Sequence, residues 1–286
     1  MDRKYDVITL GEILLRLSTP INGRLAQGDT FMKHLGGAEL NIASEIGQLG
    51  LNTAIISKIP TNLLEAFIKN QLNASRVSEN YLIEDHSDDS RIGIYYYEYG
   101  SYPRKPRVVY DRKHSSINNI EISDVPQTLF YNTRLFHTSG ITLGLGGKAQ
   151  DFAIHCIKEF KKQGTLISFD VNYRSNLWTG EEARKCIETI LPYVDISSAP
   201  KTLPDLPLEK QVRSTRSRNL SVRNTRFPLS LPQSGLSSLR RSIILLPSSI
   251  LQKMILITGK IHTIILTLWT VSEAAMPMYP VHCMVI

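Results

Sequence analysis

Leu166-Ile167-Ser168-Phe169-Asp170-Val171, running on into Asn172-Tyr173-Arg174-Ser175-Asn176-Leu177-Trp178, is the stretch on which the fold turns. Its first half is apolar and β-prone, and it ends on polar groups, as a buried strand does. The flanks repeat the pattern. Leu135-Phe136-His137-Thr138-Ser139 reads as a second strand and Tyr193-Val194-Asp195-Ile196 as a third. Between the first two, residues 148–163 put Phe152, Ala153, Cys156, Ile157 and Phe160 on one helical face, and Gly164 closes that helix. Thr179, with Glu182 three residues on, forms a capping box for a helix that buries Ala183, Ile187 and Ile190. Strand–helix–strand–helix–strand implies a parallel sheet with helices packed on it, the α/β class. Ligands in such sheets bind beyond the carboxyl ends of the strands. Asp170, Asn172 and Arg174 stand at such an end.

The N-terminal part extends the same design. Val7-Ile8-Thr9-Leu10-Gly11-Glu12 reads as a buried strand ending in a tight turn, and Ile13 to Leu17 alternate in part. Gly36-Gly37 precedes a helix over residues 38–49, with Leu40, Ala43, Ile46 and Leu49 on one face. A glycine pair lets backbone N–H groups approach a ligand, and a helix N-terminus favours electron-rich oxygen. Asn41, one turn in, offers both an amide donor and a carbonyl acceptor. Residues 54–59 form a further strand. Residues 91–98 and 107–112 are strand-like and rich in tyrosine, with Pro103 and Pro106 between them, so a hairpin or long turn joins them. Gly140 to Lys148 fails the Walker A spacing and reads as a loop opening a helix.

Gly36-Gly37-Ala38-Glu39-Leu40-Asn41 and Asp170-Val171-Asn172-Tyr173-Arg174 through Trp178 together resemble the PfkB (ribokinase-like) carbohydrate kinases, and within them the 2-keto-3-deoxygluconate kinases. The resemblance covers residues 1–199. It implies a three-layer α/β/α body with a mostly parallel sheet and a small β-sheet lid, its strands lying within residues 12–35 and 91–112. It implies ATP and Mg²⁺ as cofactors and a small sugar acid as substrate. It implies substrate contacts from Gly36, Gly37, Asn41, Tyr95, Tyr110, Arg112, Ile141, Asp170, Asn172 and Arg174. Tyrosine hydroxyls and arginine forks suit the hydroxyls and the carboxylate of such a sugar. A fructokinase-like or other neutral-sugar kinase is the alternative within the family, and a non-catalytic sugar-binding remnant is the other alternative. Read without the resemblance, the tyrosine-rich strands could pack on a neighbour or a second copy, and Asp170 could pair with Arg174 across a turn.

The remaining residues break the pattern. The family's second signature, Asp-Thr-x-Gly-Ala-Gly-Asp, would supply an anion hole and the catalytic base, and no segment matches it. Residues 200–286 hold 8 of the 14 prolines, only two glycines, Gly235 and Gly259, and Asp205 as their one Asp. They carry 11 Lys/Arg against 3 Asp/Glu, whereas residues 1–199 carry 22 against 23. The net charge of +7 is therefore a property of the tail. This part reads as an aberrant tail, frameshifted or disordered and not native-like, and the chain reads as impaired in catalysis. Arg213, Arg216, Arg218, Arg223 and Arg226 have little aromatic interleaving, so a solvated basic stretch is favoured over a nucleic-acid site. Cys156, Cys186 and Cys283 give no disulfide framework and no metal spacing. No run reaches the roughly 20 apolar residues of a membrane span, and the charged N-terminus lacks a signal core. The expectation is a cytoplasmic protein with a small-molecule substrate, no nucleic-acid or membrane partner, and self-association through the lid.

Overall fold

The computed structural model describes residues 3–200 and the strand 281–285. The compositional break after residue 199 and the tail arginines lie outside the described residues.

An eight-stranded sheet is built from β1 (Tyr5–Leu10), β4 (Thr53–Pro60), β5 (Val77–Ser78), β6 (Leu82–Asp85), β9 (Thr133–Ser139), β10 (Leu166–Asp170), β11 (Ile196–Pro200) and β12 (Val281–Val285). The order is β12-β11-β10-β9-β1-β4-β5, with β6 also pairing β4. Every pairing is parallel except β11 with β12. The four strands β2 (Leu14–Ser18), β3 (Met32–Gly36), β7 (Gly93–Glu98) and β8 (Arg107–Asp111) form a separate sheet in the order β3-β2-β7-β8. This small mixed sheet takes its strands from residues 14–36 and 93–111, and β7 and β8 pair antiparallel, as in the expected hairpin.

The layers follow from side-chain alternation. In β1, Ile8 and Leu10 face one core and Val7 faces the other. The first core takes α4 (Gly147–Lys162) and α5 (Gly180–Ile190) through Phe152, Phe160, Ala183 and Ile187. The second face takes α1 (Ala38–Gln48), through Ile42 and Ile46. Helix α2 (Leu63–Ala74) adds Ile68 and Leu72 against Ile55 and Ile59. A sheet covered on both sides explains why all six residues of β1 are buried. Phe136 and Phe160 stack at 4.4 Å in the first core. Each fully buried ring stabilises the fold by roughly 1.5–3 kcal/mol.

Three local readings change. The strand expected at 193–196 begins later, at Ile196, because Pro192 opens a 3₁₀ turn over Leu191–Tyr193. Asp195 then ties the turn to β10, accepting the Ile167 N–H at 2.8 Å and the Lys161 ammonium at 2.5 Å. The loop expected at 140–148 contains a short helix, α3 (Gly140–Gly144), because Ser139 caps it by accepting the Ile141 N–H at 3.1 Å. Finally, β10 stops at Asp170, so Asn172 and Arg174 lie beyond the strand. Asn172 turns the chain with φ 28°.

Candidate active site

The carboxyl ends of β1, β9 and β10 open on one edge of the sheet, and the lid is attached there through Gly11-Glu12-Ile13. Gly37 caps α1 at φ 139°, a backbone state that disfavours any side chain. A side chain on Gly37 would also strike the Glu12 carbonyl. Gly36 is bare for a different reason: the Tyr95 hydroxyl occupies the place a methyl group would take. The expected glycine pair thus lies directly beneath an expected lid tyrosine. Tyr95 and Tyr110 are register partners across β7 and β8, with ring centroids 5.8 Å apart. Arg112 follows one residue after β8, within 5.8 Å of the Tyr110 ring. Asn41 is exposed one turn into α1, its N–H donating to the Gly37 carbonyl at 2.9 Å.

Ile141 is half-buried on α3, beside the end of β9. Asp170 is buried at the end of β10 and accepts the Asn172 N–H at 3.3 Å. Asn172 is 4% exposed, and its side-chain oxygen has no hydrogen-bond partner among the described residues. A buried orphan acceptor at a strand mouth suits a donor brought by a ligand or by water. Arg174 is half-buried just beyond Asn172.

Sequence reasoning missed a layer of buried acids below the lid. Glu12, 4% exposed, accepts from the Arg112 guanidinium and from the Ser115 hydroxyl at 2.5 Å. Glu39, 1% exposed, accepts from Ser139 at 2.6 Å and Thr142 at 2.7 Å. Burial pushes both carboxyl pKa values up. The Arg112 charge and the hydroxyl donors pull against that rise, and Glu39 pushes the Glu12 pKa further up. The one signal available was a pair of glutamates in otherwise apolar or glycine-rich contexts, Leu10-Gly11-Glu12 and Ala38-Glu39-Leu40. The donors lie about a hundred residues downstream and leave no local trace.

Glu39 gives a pH-dependent stability. Its folded pKa lies above 4.5, so the native state holds the proton more tightly than the unfolded chain. The stability this contributes is complete below pH 4.5 and is lost as pH rises through the folded value. Glu39→Gln stays neutral throughout. Thermal melts are therefore expected to show Glu39→Gln gaining on the parent as pH rises from 4.5, by about 1 kcal/mol or more at pH 8. A gap that is flat or narrows with pH would overturn this reading.

Residues 4–199 match the family described as pfkB family carbohydrate kinase. The chain belongs to that family. Among similar proteins, the Haloferax volcanii 2-dehydro-3-deoxygalactonokinase is 32% identical over 191 residues, covering 67% of this chain and 59% of the relative. The Bacillus subtilis 2-dehydro-3-deoxygluconokinase is 30% identical over 175 residues, covering 61% of this chain and 53% of the relative. This chain thus spans less than three-fifths of the length of either pfkB relative. The crystal structure of 2-dehydro-3-deoxygluconokinase from Thermotoga maritima superposes with a TM-score of 0.67 at 34% identity, covering 75% of this chain and 70% of that one. The ribokinase-like α/β body and small mixed sheet expected of a pfkB protein are therefore what the chain adopts. Among the described residues, no three acids, histidines or cysteines group to hold a metal ion. No helix of the described residues is long and apolar enough to cross a membrane.

Proposed function

We propose that residues 3–200 form the sugar-holding body of a kinase acting on a 2-keto-3-deoxy sugar acid, 2-keto-3-deoxygluconate being the favoured member. The full reaction is transfer of the γ-phosphoryl of ATP, with Mg²⁺, to the terminal hydroxyl, giving the 6-phosphate and ADP. The observation that carries this reading is the stacking of Tyr95 over Gly36, beside Tyr110 and Arg112, at the open edge of the parallel strands. Gly37 and Asn41 present the start of α1 to sugar hydroxyls, and Ile141 forms an apolar wall. Asp170, Asn172 and Arg174 close the strand side, Arg174 bringing a planar cation suited to a carboxylate. The names of the two relatives above, both keto-deoxy sugar acid kinases, support the acid class. Nucleic acid and membrane have no part in this function, the protein works in the cytoplasm, and two copies associate through the lid.

The test is calorimetric titration of the full chain with 2-keto-3-deoxygluconate and with fructose. The acid is expected to bind in the range of about 1 μM–1 mM, at least about tenfold tighter than fructose. Arg174→Ala is expected to remove about tenfold or more of the acid's affinity. Equal binding of fructose would favour the neutral-sugar alternative, and no binding of either would end the proposal.

A further inference from the structure

The lid carries a second cation placed for an acidic ligand, and nothing above gives it a role. Arg16 lies in the middle of β2, in register with His34 of β3 and Tyr95 of β7. Tyr95 is in turn in register with Tyr110 of β8. Register partners point to the same side of a sheet, and so do residues two apart along a strand. Arg16 therefore shares its face with Gly36, Gly93, Tyr95 and Tyr110, the face that covers the glycine pair. The opposite face holds Leu15, Leu17, Leu35 and Ile94, which pack into the core beside α2. Two residues of strand separate Arg16 from the row of Gly36 and Gly93, about 7 Å and close to the length of a six-carbon chain.

Three other lid arginines are already neutralised, and Arg107 of β8 is in register with Glu98. Arg91 pairs with Asp111, Arg104 with Glu98 and Arg112 with Glu12. No carboxylate among the described residues pairs with Arg16. Its guanidinium instead lies 4.2 Å from the Tyr97 ring centroid and donates to the Tyr99 hydroxyl at 3.3 Å. Its Nε is buried without a partner. Two aromatic rings fix the guanidinium and leave charge and donor capacity unmatched. A buried donor without an acceptor is unfavourable until something supplies one.

We infer that Arg16 is a specificity-determining residue, receiving the carboxylate of the sugar acid from the lid side together with the Tyr95 hydroxyl. The inference rests on the acid-sugar reading above and adds to it a residue that reading does not use. Arg112, held by Glu12, then serves to anchor the lid, and Arg174 acts from the strand side.

The experiment compares the full chain with Arg16→Gln and Arg16→Lys. Each is titrated with 2-keto-3-deoxygluconate and with the 3-deoxy-hexulose that carries a hydroxymethyl group in place of the carboxylate. Arg16→Gln is expected to weaken the acid at least about tenfold and the neutral sugar less than about threefold. Arg16→Lys keeps the charge but loses the planar fork, and is expected to weaken the acid about three- to tenfold with the neutral sugar unchanged. If Arg16→Gln does not fold, the lysine variant decides alone. Acid affinity equal to the parent's, or equal losses for both sugars, would overturn the inference and leave Arg16 as lid scaffolding. A parent chain that binds neither sugar defeats the acid-sugar reading itself, whereas a parent that prefers the acid while both variants keep that preference defeats only the role of Arg16.

Discussion

Incubated with ATP, Mg²⁺ and 2-keto-3-deoxygluconate, the 286-residue chain is expected to form ADP at least about 10⁴-fold more slowly than a kinase with an intact Gly-Ala-Gly-Asp segment. Phosphoryl transfer relies on positioning and on electrostatic stabilisation of the moving phosphoryl group. Loss of a general base slows proton transfer by about 10²–10⁴. Loss of an anion hole removes a further factor of about 10²–10³. In residues 200–286 the only glycines, Gly235 and Gly259, are far apart, and the single Asp, Asp205, stands between Pro204 and Pro207 with no glycine beside it. The proposed sugar side is a separate matter, because Gly36, Tyr95, Arg112 and Asp170 all belong to residues 3–200. Sugar binding by calorimetry, with no sugar-dependent ADP in a coupled assay run beside the Thermotoga maritima 2-dehydro-3-deoxygluconokinase, is the expected pair of results. Turnover within about tenfold of that enzyme would show that the base and the anion hole come from residues we have not assigned.

The regular parts of this fold are written locally, and those parts were legible. The capping box at Thr179 and Glu182 forms as its spacing requires, with the Glu182 N–H donating to Thr179 Oγ1 at 3.3 Å and the Thr179 N–H donating to the Glu182 carboxylate at 2.7 Å. The apolar stripe from Phe152 to Phe160 is buried throughout. Periodicity also separated the lid from the body, because half-polar, tyrosine-rich strands differ from strands buried on both faces. The candidate site was read from contiguous motifs, at Gly36 to Asn41 and Asp170 to Arg174, and from the tyrosine-rich strands around Tyr95 and Tyr110. What stayed hidden were pairings at long range. Glu12 with Arg112, and Glu39 with Ser139, join residues a hundred positions apart. No period or spacing encodes such a pair; it exists only once β1, β9 and the lid have been brought to one edge. The short strands β5 and β6 escaped notice for a related reason, since two and four residues are too few to display alternation.

The Glu12–Arg112 pair carries the other large expected effect, and its sign depends on pH. The two side chains are 4% and 11% exposed, so neither has much water to fall back on. Removing one member of such a pair strands the other and destabilises a fold by about 3–5 kcal/mol. In Arg112→Met the stem packing is kept and the charge is lost. The Glu12 carboxyl, already pushed above 4.5 by burial, then loses the cation that pulled it down and moves higher still. A raised carboxyl pKa favours the folded state only while the proton is present, so the variant is close to the parent below pH 4.5 and falls behind as pH rises. At pH 8 the deficit is expected to reach about 3–5 kcal/mol, a drop in Tm of roughly 6–20 °C for a domain of this size. Glu12→Gln combined with Arg112→Met removes both charges and is expected to recover most of that loss. A deficit of the same size at pH 4.5 and pH 8 would mean that Arg112 matters for packing and not as the counter-charge of Glu12. Because Glu12 and Ser115 flank the two ends of the lid, the same melt followed by lid tyrosine fluorescence should show the lid loosening before the helices melt. Coincident transitions would instead place the pair within the cooperative core of the sheet.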